Sequence, residues 1–407
     1  MTTPPKTIWL INQYASTPDT GIGGRHHSFA RELAKRGHKV YLIAARHHHL
    51  ITDHLVASNA PALEERDGYV FVRLRTPHYQ SAHDIKRVIG WFAFAWMLRS
   101  LPALLKDRPD SIIYSSPALP GSFTAAGLAK TFDARFIFEV RDIWPLTLLE
   151  LGGYSPSHPF IRLCQWLEDR AYRRADCVIS NLAGVGFHIK RRGVEDVEFH
   201  WISNGYSQID HEQAEPLPKT IVSKIPKGVF TIGYTGTLGK ANSIDTILDA
   251  ANNLRQHSEI AFILVGSGTE KEAIKNRIKN NRLGNVTLID AVSKNLIPSM
   301  LSEFNATVLA WQDTPLYNHG ISANKIFDYF SSGKPVLHCY SGAYDPIQSY
   351  SAGLTVPAED AERLADAILH LKHMGEDKRR EFGNNAKRAA LKEFEYSALT
   401  NKLEQLI

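Results

Sequence analysis

The chain has 407 residues, 43% of them hydrophobic and 22% charged, which excludes disordered, collagen-like and coiled-coil proteins and leaves room for two to three well-cored domains. No uncharged apolar run nears the ~20 residues of a spanning helix, which excludes a polytopic membrane protein. The net charge of +5 favours an anionic ligand or surface without indicating nucleic acid. Cys164, Cys177 and Cys339 are too scattered for a disulfide framework or a zinc site. The opening MTTPPKTIWLINQY has no basic-then-apolar signal pattern, so a cytoplasmic location is expected.

In chain order, Thr7–Asn12 reads as a strand, followed by the loop Gly21-Ile22-Gly23-Gly24 and a helix over His27–Arg36 that Gly37 stops. Strands follow at Lys39–Ala44, Ser111–Ser115, Arg135–Val140 and Cys177–Ser180, with helical patterns between them. Tyr206–Lys227 interrupts this with Pro216, Pro218 and Pro226. The alternation then resumes: strand Phe230–Tyr234, helix Ile244–Arg255, strand Ala261–Val265, helix Glu270–Lys279 and strand Val286–Ile289. Strand Ala306–Leu309, helix Asn324–Ser332 and strand Pro335–His338 complete it, and Asn384–Ile407 is an amphipathic closing stretch. Buried strands alternating with helices predict an α/β protein with two doubly wound Rossmann-like domains. The expected boundaries are 1–205, a linker at 206–228, 229–390, and a closing helix at 391–407. In such folds ligands bind at the carboxyl ends of strands, and two such edges can face a central cleft.

Three glycine loops follow strands: Gly23-Gly24, Gly236-Thr237-Leu238-Gly239-Lys240 and Gly266-Ser267-Gly268. None is a dinucleotide fingerprint, because His26 and Lys271 stand where the third glycine belongs. A P-loop is excluded as well: Tyr234 replaces the first glycine and Ala241 the Ser or Thr. Such loops bring backbone amides close to an oxyanion, or they serve only tight turns. In the stretch Ser322–Val336, Ser322 is a predicted N-cap and Gly333 a predicted stop. Lys325 and Asp328 share one face near that helix start, a lysine suited to a phosphate and a carboxylate suited to a diol. The competing reading is a surface ion pair.

The pair His26-His27 and the run His47-His48-His49 lack the Asp or Cys that would complete a metal set, and no metal is expected. His26 and His27 read as residues near an acceptor site. Val88–Leu98, apolar and flanked by Lys86, Arg87 and Arg99, suits an interfacial helix on an anionic membrane or a core helix.

Together, Gly23-Gly24, Glu139-Val140-Arg141-Asp142-Ile143-Trp144-Pro145, Asn204-Gly205, Gly236-x-Leu238-Gly239-Lys240, Gly266-x-Gly268 and Asn324–Tyr329 with Gly333-Lys334-Pro335-Val336 resemble glycosyltransferase family four. The string from Glu139 to Pro145 is similar to its bacterial O-antigen and capsule branch, which includes fucosamine and N-acetylhexosamine transferases. The resemblance implies a retaining, metal-independent enzyme of GT-B fold with no cofactor. It would move an (amino)hexose from a UDP-sugar donor to a lipid-linked saccharide acceptor, in contact with the inner face of a membrane. It further implies that Gly23 and Gly24 admit the donor diphosphate and that Lys240 and Lys325 hold it. Amides around Gly320, Ile321 and Ser322 would touch the sugar, Asp328 the ribose, and the backbone near Val292 the base. Three positions depart from the family pattern: Gly320 replaces the first acid of E-x7-E, Thr237 an arginine, and Arg141 a histidine. Arg141 and Asp142, ending a strand, are the candidates for acceptor or donor-sugar contact. The competing expectations are a non-catalytic sugar-nucleotide-binding partner and a nucleotide-sugar epimerase.

Overall fold

The computed structural model describes residues 4–21, 23–79 and 86–407, so Ile22 of the first glycine loop lies outside the described residues. The chain forms two units, one running to Ser203 and taking in Tyr396–Ile407, the other Asn204–Glu395.

The first unit carries strands β1 (Thr7–Ile11), β2 (Lys39–Ala45), β3 (Leu63–Arg66), β4 (Tyr69–Leu74), β5 (Ser111–Ser115), β6 (Arg135–Val140), β7 (Cys177–Ser180) and β8 (Glu198–Trp201). Their order is β3-β4-β2-β1-β5-β6-β7-β8, parallel throughout except for β3, which runs antiparallel to β4. Alternate residues of β1 feed opposite faces: Trp9 and Ile11 join Trp91, Phe94 and Phe138, while Ile8 and Leu10 join Phe29 and Leu33. Both faces are covered, which is why the strand reads as a continuous apolar run.

The second unit carries β9 (Phe230–Thr235), β10 (Ile260–Gly266), β11 (Val286–Asp290), β12 (Ala306–Ala310), β13 (Val336–Cys339) and β14 (Gly353–Val356). They form a parallel sheet in the order β11-β10-β9-β12-β13-β14. The chain winds outward from β9 to β11, then returns to lay β12 on the other side of β9. That reversal opens a crevice at the carboxyl ends of β9 and β12.

Several elements depart from the sequence expectation. The β3–β4 hairpin turns at Asp67-Gly68, both at positive φ (49° and 83°), a turn signal between two alternating segments. β8 and β14 are short additions at sheet edges. The expected linker is part of the second unit: Gln208–Glu212 and Lys219–Val222 are helical, and Tyr206 and Ile225 are buried in its core. The expected closing helix is divided. Helix Glu376–Ala389 ends in a π-helical turn, Ala390–Phe394, and helix Tyr396–Glu404 belongs to the first unit. There Tyr396 meets Phe29 edge-on at 5.4 Å, and Arg36 pairs with Glu404 at 2.6 Å. No described helix is long and apolar enough to cross a membrane.

Candidate functional site

In the second unit the predicted residues gather at the crevice between β9 and β12. The helix Asn324–Ser332 starts there, and Gly333 (φ 68°) ends it in the left-handed conformation only glycine adopts freely. Its N-cap is Ala323, without a side-chain bond. Ser322 does not cap the helix, because its hydroxyl accepts from the Asn204 amide at 3.0 Å and its carbonyl from the Asn204 side chain at 2.7 Å. Asn204 therefore holds the turn Gly320-Ile321-Ser322, in which Gly320 sits at φ 95°.

Lys325 and Asp328 do not pair. The Lys325 ammonium donates to Tyr234 Oη at 2.8 Å and to Asn242 Oδ1 at 2.5 Å, and lies over the rings of Tyr234 (4.6 Å) and Trp311 (5.3 Å). No carboxylate among the described residues pairs with it, and burial pulls its pKa down to about 7. Asp328, half-buried, stands 3.9 Å from His211 Nε2.

The two glycine loops of this unit rest on each other. Leu238 donates its amide to the Ser267 carbonyl at 2.8 Å, and Glu270 to the Leu238 carbonyl at 3.0 Å. A Cβ on Gly266 would collide with the Gly236 carbonyl, and one on Gly268 with the Leu238 carbonyl. Gly266 thus serves close loop packing. Gly236 (φ 146°) lies against Lys325, where a Cβ would come within 3.2 Å of its Cε and Nζ. Thr237 is exposed, and its carbonyl accepts from Tyr234 Oη (2.7 Å) and Asn242 Nδ2 (2.9 Å), tying the loop to the cage around Lys325. Lys240 is exposed on the short turn that ends in Asn242. Val292, like Ile321, is half-buried against the core that includes Trp311.

In the first unit Gly23 and Gly24 hold positive φ (69° and 71°) at the start of helix Gly24–Lys35. His26 and His27, expected near an acceptor, are buried in fixed networks. His26 Nε2 contacts Ser115 Oγ and Glu139 Oε2, both at 2.8 Å, and His27 Nδ1 meets Tyr69 Oη at 2.8 Å. Burial lowers the His26 pKa, against the pull of Glu139. Glu139 pairs with Arg25 at 2.7 Å. Burial opposes its charge, yet Arg25 and His26 hold its carboxyl well below the usual carboxylate range. Arg25 also donates to the carbonyls of Ile202 and Ser203. Arg141 and Asp142 form no ion pair with each other among the described residues. Asp142 is exposed, and the buried Nε of half-buried Arg141 has no acceptor. Among the described residues one group has metal-ligand spacing, Cys177 with Glu198 and His200. It lies at the β7–β8 edge, where Arg135 already pairs with Glu198 and burial pushes the Cys177 thiol up to about 12.

The residues that sequence reasoning missed are Tyr234, Asn242 and Trp311. Tyr234 is the penultimate residue of β9 and Trp311 directly follows β12, but that β9 and β12 are neighbours is a property of sheet order, which no local pattern records.

The first unit matches the family description "Glycosyl transferase 4-like domain" over residues 20–205, and the second "Glycosyl transferases group 1" over residues 229–373. The glycosyl transferase WcaI of Escherichia coli (strain K12), whose name assigns it to colanic acid biosynthesis, is 25% identical over 297 residues, covering 69% of this chain and 71% of that protein. Among solved structures, sucrose-phosphate synthase from Thermosynechococcus elongatus superposes with a TM-score of 0.74 at 18% identity, covering 98% of both chains. The Anabaena protein HepE, solved with UDP and glucose, does so with a TM-score of 0.66 at 14% identity, again over 98% of both chains. With a 4-like half and a group 1 half on two parallel-sheet units, the chain belongs to the family-four glycosyltransferases of GT-B fold and is an enzyme of that class.

Proposed function

We propose that the enzyme transfers an (amino)hexose, with retention, from a UDP-sugar to a surface-polysaccharide precursor carried on a lipid, without a metal. The observation that carries the reading is the Lys325 ammonium, caged by Tyr234, Trp311 and Asn242 and lacking a carboxylate partner among the described residues. Glycosyl transfer places negative charge on the departing diphosphate. A fixed cation beside a glycine loop and a helix N-terminus stabilises that charge without needing to reorganise. On this reading Lys240, exposed on the adjoining turn, folds over the same diphosphate, and Asp328, one turn along the helix, takes the ribose diol. UDP as the nucleotide follows HepE, solved with UDP, and the polysaccharide acceptor follows the colanic acid assignment of WcaI. In the first unit Arg141 and Asp142 are the side chains offered to donor sugar or acceptor.

Calorimetric titration with UDP, GDP and ADP under chelator tests this. Micromolar binding of UDP, lost in Lys325→Ala, is the expected result, and no binding of any nucleotide would overturn it. Release of free UDP only when acceptor is present then separates a transferase from an epimerase or a binding partner.

A lipid-linked acceptor calls for a membrane-facing surface. Helix Lys86–Met97 buries Gly90, Trp91 and Phe94 in the core and exposes Ile89, Phe92 and Trp96, with the Arg99 guanidinium 4.8 Å over the Trp96 ring. Apolar and aromatic groups rimmed by basic ones suit an anionic interface. Replacing Phe92 and Trp96 by Ser is expected to abolish co-sedimentation with anionic vesicles while leaving the melting temperature unchanged. Unaltered sedimentation would remove the membrane contact from the reading.

A further inference from the structure

The indole beneath Lys325 is itself held by a buried row of polar groups. Trp311 Nε1 donates to His338 Nε2 at 3.0 Å, and His338 Nδ1 lies 2.9 Å from Asp345 Oδ1. Asp345 also accepts from the Ile347 amide (2.9 Å) and from Thr355 Oγ1 (2.5 Å). An indole nitrogen can only donate, so His338 Nε2 must offer its lone pair and the ring proton sits on Nδ1, donated to the carboxylate. Tyr340 stacks on the His338 ring, with centroids 4.8 Å apart and planes 15° apart. The imidazole is thereby held at both nitrogens and on one face.

Burial works against the charge of Asp345, but the bonds from His338, Thr355 and the Ile347 amide hold its carboxyl below the ordinary value. His338 is 0% exposed. Burying an acid and an imidazole where apolar side chains would pack as well is not in itself stabilising. What the row accomplishes is geometric. The row ends on one indole, whose face meets the Lys325 ammonium at 5.3 Å, and Gly236 lies against the same lysine side chain.

We propose that Trp311, His338 and Asp345 are positioning residues for the diphosphate-binding lysine: the His338–Asp345 pair locks the Trp311 indole, and the locked indole face keeps the Lys325 ammonium directed at the Gly236 loop. The proposal rests on the reading that Lys325 takes the donor diphosphate.

The test is calorimetric titration of the full chain, under chelator, with UDP and separately with uridine, which has no phosphate for Lys325 to hold. Trp311→Phe keeps an aromatic face but removes the N–H. His338→Asn keeps a donor for Asp345 but is too short to accept from Trp311. Each is expected to weaken UDP binding about tenfold at unchanged stoichiometry, and to leave uridine binding as it is. The double variant is expected to be no weaker than either single one, since all three break the same bond. UDP binding as tight as wild type in both single variants would overturn the proposal. So would equal weakening of UDP and uridine, which marks collapse of the loop. Wild-type protein that binds uridine but not UDP would instead remove the reading of Lys325 on which the proposal rests. If His338→Asn does not fold, the ratio of UDP to uridine affinity in Trp311→Phe decides alone.

Discussion

On the proposed reading the Lys325 ammonium, held by the rings of Tyr234 and Trp311, the Tyr234 hydroxyl and the Asn242 amide oxygen, receives the donor diphosphate, and its titration tests that. With the free Lys325 pKa at about 7, the group is largely neutral at pH 8 and takes up a proton when a diphosphate binds. UDP affinity is therefore expected to fall between pH 7 and 8.5, approaching tenfold per unit, and Lys325→Arg to flatten the profile. Calorimetry across that range checks both, and a flat wild-type profile would mean that another group titrates. Stability carries the opposite sign. The folded value lies below the unfolded one, so between about 7 and 10.5 the folded state binds fewer protons and stability rises with pH. Below 7 the full cost of the buried charge is present. Lys325→Met is thus expected to melt above wild type at pH 6.5, with the advantage gone by pH 10. The lysine itself was legible from its place in the helix. Its cage was not, because Tyr234 and Trp311 are 77 positions apart and meet only through strand order.

At the scale of elements the two glycine loops of the second unit behave as one body. Gly266→Ala is expected to force the Gly236 carbonyl aside, lowering the melting temperature and abolishing UDP binding together. Gly127, exposed within helix Pro120–Phe132 and with open space around it, gives the contrast. Gly127→Ala should stabilise by about 1 kcal/mol and leave binding untouched. Thermal melts and UDP titration of the two variants distinguish packing glycines from incidental ones. The central strands were readable because apolar runs of four to seven residues have few other uses in an α/β protein. The β3–β4 hairpin was missed, although Asp67-Gly68 between alternating segments is a turn signal. β8 and β14 were not readable, since edge strands carry mixed residues and owe their pairing to the sheet they join.

At the scale of the molecule, the described histidines whose pKa burial lowers, His26, His47 and His48, all lie in the first unit. His48, 1% exposed, lies 3.1 Å from the Ala15 carbonyl, and burial draws its pKa down to about 4. His26 is lowered as well. Below the unfolded value near 6.5 the unfolded chain takes up protons that the folded unit refuses, so stability is lost as pH falls from 6.5 towards 4. For His48 the loss amounts to about 3 kcal/mol. His48→Gln should abolish a large part of the drop in melting temperature between pH 7 and 4.5, as scanning calorimetry at the two values would show.

The return of Tyr396–Ile407 to the first unit has a consequence for the order in which the protein can be completed. A ribosome makes the eight strands of that unit first, yet the apolar side chains that cover Phe29 and Leu33, among them Tyr396, Leu399 and Leu403, are made about 190 residues after Ser203. Until then the emerging half-protein presents an uncovered apolar groove beside helix Gly24–Lys35. The first unit is begun earliest and closed last, and a nascent chain must be kept from aggregating through the whole synthesis of its neighbour.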